Sequence, residues 1–391
     1  MSDQIEDLLR ERIAAGDFPS AAYLVAQSGE IVVHGAVGHA VVEPERHEAR
    51  VDTIYDLASL TKVLVTGLIA ARRIDEGEIV LTDPIAKFLP SFVETDKAGI
   101  TIEQLATHTS RMPAWVPLYL KTDSPLKVMN VIAAETLMSD AKPPVIYSDL
   151  NFITLAHIIQ QIDGFPIDRT ACDEIFDALG LKRTTYDPLK RPCVRGIERV
   201  EIAASEKGNG FERNTCIEKG YIADTDAVST AGNRPPAHVG GPDVFRTETI
   251  WGEVHDNNAY FMGGVSGHAG LFSTAGEIFT MAKQFLSKYT TLLKPATCEL
   301  FRTNFTGDAN EHRSFAFQLA TTPDSAAGTK MSPESFGHLG FTGTSLWIDP
   351  LRDRIFILLT NRTHHDLPFV MGNVTRRRFH DLAIDMLDGN L

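Results

Sequence analysis

At 391 residues, 43% of them hydrophobic, the chain is long enough to bury a large core in one domain or in two closely packed ones. Acidic residues outnumber basic ones by 51 to 37, a net charge of −14 with no sustained Lys/Arg stripe, which excludes nucleic acid and anionic membrane surfaces as expected partners. Four scattered cysteines (Cys172, Cys193, Cys216, Cys298) without C-x-x-C spacing speak against disulfides and cysteine-held metals.

The N-terminus, Met1 to Gly16, reads as an amphipathic helix with Ile5, Leu8, Leu9 and Ile13 on one face. It has no basic n-region, apolar h-region or cleavage site, and no window of the chain reaches the apolar length of a membrane span, so the expected location is cytoplasmic. Ala21 to Ala26 and Ile31 to Val37 read as strands joined at Ser28-Gly29-Glu30, a hairpin signal. A strand-like stretch from Thr53 to Leu57 leads into Ser59-Leu60-Thr61-Lys62 and a long apolar helical run ending near Gly77. A serine opening a helix lies near unpaired N–H groups and the positive end of the dipole, and a lysine three residues on shares its face. Such a lysine, held neutral, can take the serine's proton and make an acyl-transfer nucleophile without a Ser-His-Asp triad.

The S-x-x-K pattern alone is weak, expected by chance roughly once in a chain of this length. It occurs here three times, at Ser59, Ser124 and Ser139. Proline directly after Ser124 marks a helix start capped by Ser124 or Asp123. Pro143-Pro144 after Ser139-Asp140-Ala141-Lys142 leaves no helix to carry that lysine. Ser59 is left as the candidate.

From Leu81 to about Leu181 the pattern is mainly helical: Ile102 to Ala106, Val128 to Met138, Phe152 to Ile162 and Cys172 to Leu179. Within it lies Tyr147-Ser148-Asp149-Leu150-Asn151, with the tyrosine on the loop before a helix. Facing Lys62, Tyr147 could shuttle a proton to and from Ser59, while Asp149 or Asn151 holds the lysine. Residues 187 to 267 are rich in Gly, Pro, Asn and Asp with little periodicity, which in a stretch this long points to a functional segment. Helix returns at Ala275 to Leu286, followed by strand-like Phe315 to Ala320, Thr344 to Ile348 and Ile355 to Thr360, and a last helix from about Thr375 to Leu387. The Arg376-Arg377-Arg378 run reads as the solvated face of that helix. In His338-Leu339-Gly340-Phe341-Thr342-Gly343-Thr344, two glycines within four residues mark a strand edge where backbone approaches a ligand or turns a tight corner.

Strands at both chain ends with helices between them give an α+β fold: one antiparallel sheet built from both termini and flanked by helices. Residues 1–80 and 268–391 form the sheet domain and 81–267 a helical, loop-rich insertion.

S-x-x-K at Ser59, Y-x-D/N at Tyr147 to Asp149 and H-x-G at His338 to Gly340, in this order, resemble the serine β-lactamase and penicillin-binding-protein superfamily. The nearest branch is the class C-like one with the family VIII carboxylesterases, and the β-lactamase/transpeptidase-like fold is what it implies. The phrases Leu105 to Ser110, Gly252 to Asp256 and Gly267 to Thr274 are similar to that family as well. The resemblance runs from about Pro19 to the C-terminus. It implies Ser59 as nucleophile, Lys62 as its activating neighbour and Tyr147 as general acid/base. It also implies an oxyanion hole from the N–H groups of Ser59 and Phe341 and a deacylating water activated by the Tyr147/Lys62 pair.

Three positions depart from that family's pattern. His338-Leu339-Gly340 stands where lysine and a hydroxyl residue are usual, removing a fixed positive charge for a substrate carboxylate. Asp149 replaces the commoner asparagine and favours a protonated Lys62, moving the base role towards Tyr147. Arg111-Met112 stands where Gly-Leu is common. The expected function is a serine hydrolase forming an acyl-enzyme at Ser59, a carboxylesterase on small or medium esters. A β-lactamase or D-amino-acid-specific peptidase, and a non-catalytic ligand-binding relative, are the alternatives. Asp149, His338, Gly340 and Trp115 are the expected substrate contacts, with Tyr119 and Trp347 as further acyl-pocket candidates. The G-x-S-x-G elbow is absent, because Gly264-Val265-Ser266-Gly267-His268 breaks it. His255-Asp256, His268 and His364-His365 match no metal-ligand spacing, so neither metal nor cofactor is expected.

Overall fold

The computed structural model describes residues 2–139, 144–190, 193, 196–223, 244–365, 369–370 and 372–390. Ten strands are present among them: β1 (Ser20–Gln27), β2 (Glu30–Val41), β3 (His47–Glu48), β4 (Tyr55–Asp56), β5 (Thr185–Tyr186), β6 (Leu271–Ser273), β7 (Gln318–Leu319), β8 (Phe336–Leu339), β9 (Ser345–Asp349) and β10 (Arg354–Thr360).

The main sheet is antiparallel, with strand order β3-β2-β1-β10-β9-β8-β7. Its central pair joins the two ends of the chain, from Ala21 opposite Thr360 to Gln27 opposite Arg354. The β1–β2 hairpin turns at Ser28 and Gly29, with φ of 56° and 81°. Positive φ at both central residues suits the right-handed twist of the flanking strands. β1 reads as an unbroken apolar run because both of its faces are covered. Ala22, Leu24 and Ala26 join the larger core, while Ala21, Tyr23 and Val25 join a second core beneath the terminal helices Ser2–Ala14 and Val374–Leu387.

The inserted region shares the larger core, in which Leu105, Phe152 and Phe176 pack with Leu60, Phe272 and Ile357. A second sheet, β4-β6-β5, draws one strand from each of three distant segments and was not anticipated. Its strands are two or three residues long, too short for a period-2 signal.

Several expected elements are shorter than their patterns. Thr53 to Leu57 yields only β4, and Phe315 to Ala320 only β7, because Ala316 takes φ 70° and breaks the run. Residues 187 to 267 hold the helices Gly210–Glu218 and Asn257–Phe261, and residues 224–243 lie outside those described. Asp140 to Pro143, which bear on the Ser139 pattern, lie outside them too. Among the described residues no helix is long and apolar enough to cross a membrane.

Candidate active site

Ser59 follows β4 in a tight turn. Ala58 takes φ 51°, and its N–H is held by Asp56 Oδ1 at 2.9 Å. Thr61 Oγ1 donates to the Ala58 carbonyl at 2.6 Å and closes the turn. The chain then winds as a π-helix, Lys62–Gly67, before the α-helix Leu68–Glu76. π-Winding recurs at functional sites. Here it is compatible with Gly67, where a Cβ would press on Ala316 at 2.9 Å and on the Lys62 carbonyl at 3.1 Å.

Lys62 is fully buried beneath Ser59. Its Nζ lies 2.9 Å from Ser59 Oγ, 3.1 Å from the His268 carbonyl and 2.8 Å from Asp149 Oδ1. Burial disfavours the ammonium, but the charge of Asp149 and then Tyr147 outweigh it and raise the pKa above the ordinary lysine value. Lys62 is therefore cationic, and the neutral-lysine route to the nucleophile is not the one this site presents. Asp149 is held in turn, because it opens the helix Asp149–Asp163 and its N–H bonds the Ala114 carbonyl at 2.9 Å. Asn151, the other candidate for holding the lysine, bonds Ser110 Oγ at 2.6 Å instead.

Tyr147 stands between two imidazoles, its ring centroid 4.5 Å from that of His108 and 5.8 Å from that of His338. Lys62 Nζ is 5.0 Å and the Arg313 guanidinium 5.3 Å from the same ring. His108 accepts the Ser148 N–H on Nδ1 at 3.0 Å, which anchors the loop carrying Tyr147.

His338 ends up buried on β8 at 4% exposure. Burial, then Arg313, then Lys62 hold its pKa well below the ordinary histidine value, so it is neutral rather than partly charged. After β8, Gly340 passes so close to the Ser59 turn that a Cβ there would collide with the Leu57 carbonyl and Thr344. Thr342 Oγ1 donates to the Asp56 carbonyl at 2.7 Å and Thr344 Oγ1 to the Leu57 carbonyl at 3.1 Å, lacing the two segments together. Between these ties lies Phe341, whose N–H has no hydrogen-bond acceptor among the described residues. The Ser59 N–H, the other expected oxyanion donor, bonds the Leu57 carbonyl at 2.7 Å. Phe341 is thus the free donor, and Ser59 must share its bond to contribute.

Sequence reasoning missed the arginines. Arg376 is buried at 5% exposure rather than solvated, because the first turn of its helix packs against the Gly340–Thr344 loop. Its Nη2 bonds the Gly340 and Thr344 carbonyls at 2.9 and 3.1 Å, and its Nε is buried without a partner among the described residues. Arg362 Nε bonds the Phe341 carbonyl at 2.6 Å. Burial, and for Arg376 also Arg362, lowers their pKa to about 9 for Arg376 and about 10 for Arg362. Neither pairs with a carboxylate among the described residues. With Arg313, which Glu311 holds at 2.7 Å, they line a cleft of about 570 Å³ shared with Ser59, Tyr147, His338, Gly340 and Phe341. The signal available in sequence was the helix period, which places Arg376 three residues before buried Phe379.

The remaining candidates sit elsewhere. Trp115 packs edge-on against Tyr221 at 6.2 Å, outside the residues lining this cleft. Tyr119 donates to Glu212 at 2.9 Å, and Trp347 is fully buried in the second core. Ser124 caps its helical turn by accepting the Leu126 N–H at 3.3 Å, as expected of a cap. Arg111 has a structural task, binding the Met138 carbonyl at 2.9 Å. Asp149, Asp256 and His268 bring ligand-type atoms within 4.8 Å of one another, but the Lys62 ammonium already supplies positive charge there and His268 bonds Asp256 at 3.0 Å.

A family model described as Beta-lactamase matches residues 5–377. A curated Escherichia coli protein named "Putative D-alanyl-D-alanine carboxypeptidase" is 30% identical over 387 residues, covering 93% of this chain and 82% of that protein. Among solved structures, EstCE1, described as a hydrolase with promiscuous acyltransferase activity, superposes with a TM-score of 0.70 at 20% identity, covering 97% of this chain and 98% of that one. A class C beta lactamase from Rhodobacter sphaeroides gives 0.69 at 18% identity, covering 98% and 99%. These structures share the fold.

Proposed function

We propose, since the chain belongs to the beta-lactamase family, that it is a serine hydrolase working through an acyl-enzyme at Ser59 and releasing a leaving group that carries a carboxylate. The observation behind this reading is the set of cleft arginines: Arg362 and Arg376 are buried cations without a carboxylate partner among the described residues, and they line the same space as Ser59. Two such charges repel each other and favour an anion between or beside them. The fixed charge that His338 does not provide is therefore supplied from the C-terminal helix and the segment after β10.

In this reading Ser59 Oγ attacks the substrate carbonyl, and the carbonyl oxygen gathers charge against the Phe341 N–H and the shared Ser59 N–H. Tyr147 relays the proton: its hydroxyl gives its own proton to the leaving group as it accepts the one from Ser59 Oγ. Lys62, held as an ammonium by Asp149, supports Tyr147 and Ser59 electrostatically. Water then takes the leaving group's place and the same residues release the acid.

A carboxylate-bearing leaving group suits an acyl-D-amino acid or a β-lactam, and the name of the Escherichia coli relative favours the first. Ester hydrolysis is the second reading, supported by the fold shared with EstCE1. The test is hydrolysis of acetyl-D-alanyl-D-alanine and p-nitrophenyl butyrate by wild type and Ser59→Ala. Turnover of the peptide by wild type that vanishes in Ser59→Ala supports the reading, and peptide turnover that survives in the variant ends it. Turnover of the butyrate alone replaces it with the esterase.

A further inference from the structure

The proposed chemistry leaves one polar atom of the cleft without a task. His338 Nδ1 lies 2.9 Å from the Leu339 carbonyl. A carbonyl only accepts, so the imidazole proton sits on Nδ1 and Nε2 carries a free lone pair. That Nε2 is buried and has no hydrogen-bond partner among the described residues. The residue lines the cleft together with Ser59, Tyr147 and Arg376, and its ring stands 5.8 Å from that of Tyr147.

Two of the roles open to an active-site histidine are closed here. A neutral ring is no anchor for a carboxylate. Burial, Arg313 and Lys62 also disfavour the imidazolium so strongly that His338 is a poor base. Accepting a hydrogen bond remains, and a buried acceptor without a partner makes a site discriminating towards ligands that bring a donor.

We propose that His338 Nε2 accepts the N–H of the scissile amide and makes this cleft select amides over the matching esters. The inference rests on the acyl-enzyme reading above, with the leaving group's carboxylate turned towards the arginines. In an acyl-amino acid the scissile nitrogen is bonded to the carbon that bears that carboxylate, so an N–H donor reaches the arginine side of the cleft together with the anion. An N–H held by His338 also turns the nitrogen lone pair towards Tyr147, which protonates it as the C–N bond breaks and the Ser59 acyl bond remains. The ester analogue places an oxygen there and sets two acceptors against each other. Sites built around a polar partner reject analogues lacking it more strongly than apolar pockets do.

The experiment measures kcat/KM for acetyl-D-alanyl-D-alanine and its ester counterpart acetyl-D-alanyl-D-lactate in wild type, His338→Phe and His338→Asn. Because the ratio is taken within each protein, a loss of folded enzyme cancels. The amide-to-ester ratio is expected to fall at least about tenfold in His338→Phe, mostly through the amide. In His338→Asn, whose Oδ1 can accept, it is expected to return to within about threefold of wild type. A ratio unchanged in both variants, or an equal slowing of both substrates with acyl-enzyme accumulating, overturns the inference and leaves the hydrolase intact. Wild type that turns over neither substrate overturns the function beneath it.

Discussion

Replacing Asp149 by asparagine isolates the electrostatics around Lys62, the neighbour of Ser59. Asp149 Oδ1 lies 2.8 Å from the Nζ of a lysine with no exposed side-chain surface. Asparagine keeps the shape and an acceptor but removes the charge. Breaking a buried pair in this way costs about 3–5 kcal/mol while the other charge persists. The His268 carbonyl at 3.1 Å and Ser59 Oγ at 2.9 Å still receive Nζ, which favours the lower end, about 3 kcal/mol. An unfolding entropy of about 2.1 cal/mol/K per residue gives roughly 0.8 kcal/mol/K for 391 residues, so the expected loss in Tm is about 4 °C at neutral pH.

The pH dependence of stability follows from the same pair. In wild type the folded Lys62 pKa lies above its ordinary value. Its contribution is therefore complete below the unfolded lysine pKa and is lost only as pH climbs through the raised folded one. Stability from this residue is flat across the neutral range. In the variant, burial is no longer offset, the folded pKa drops below the unfolded one, and the native state binds fewer protons than the unfolded chain. Stability should then rise with pH, and thermal melts of both proteins at about pH 6 and about pH 9 should show the Tm gap narrowing at the higher pH. A gap that is absent, or equal at both pH values, refutes the assignment of a buried ammonium held by Asp149.

Two further substitutions separate chemistry from scaffold. Tyr147→Phe keeps the ring between His108 and His338 and removes only the hydroxyl, so kcat should fall roughly 10²–10⁴-fold with KM little changed, read by steady-state kinetics on whichever substrate wild type turns over. Gly340→Ala drives a methyl into the Leu57 carbonyl and Thr344, so it should cost about 1–3 kcal/mol in thermal melts and lower kcat by moving the Phe341 N–H.

The antiparallel sheet made from both chain ends, the helix after Ser59 and the last helix were legible because each rests on a long periodic pattern or a strong turn residue such as Gly29 or Gly77. The structure places Ser59, Lys62, Tyr147, Asp149, His338 and Gly340 together, and their proximity was implied by motif order rather than by any periodicity. What sequence could not show is what depends on contacts distant in the chain. The charge state of Lys62 depends on Asp149, 87 positions away, and that of His338 on its burial and then on Arg313 and Lys62. In sequence Arg376 is one of three consecutive arginines, and only the Gly340–Thr344 loop lying against it sets it apart. Trp115 misled for the opposite reason, since an aromatic near the motif in sequence packs with Tyr221 and not into the cleft.

The pairing of β1 with β10 has a consequence for the order in which the enzyme comes into being. Ser59 and Lys62 leave the ribosome early, yet the Phe341 donor and Arg376 belong to the last part of the chain and are aligned by strands that register Ala21 against Thr360. Contacts of such long sequence separation form late and slowly. During synthesis Ser59 therefore exists for most of the chain's growth without the Phe341 N–H and Arg376 that share its cleft. A prematurely terminated chain that lacks the final strand keeps Ser59 and Lys62 but loses the register that aligns the Phe341 donor and Arg376 with them.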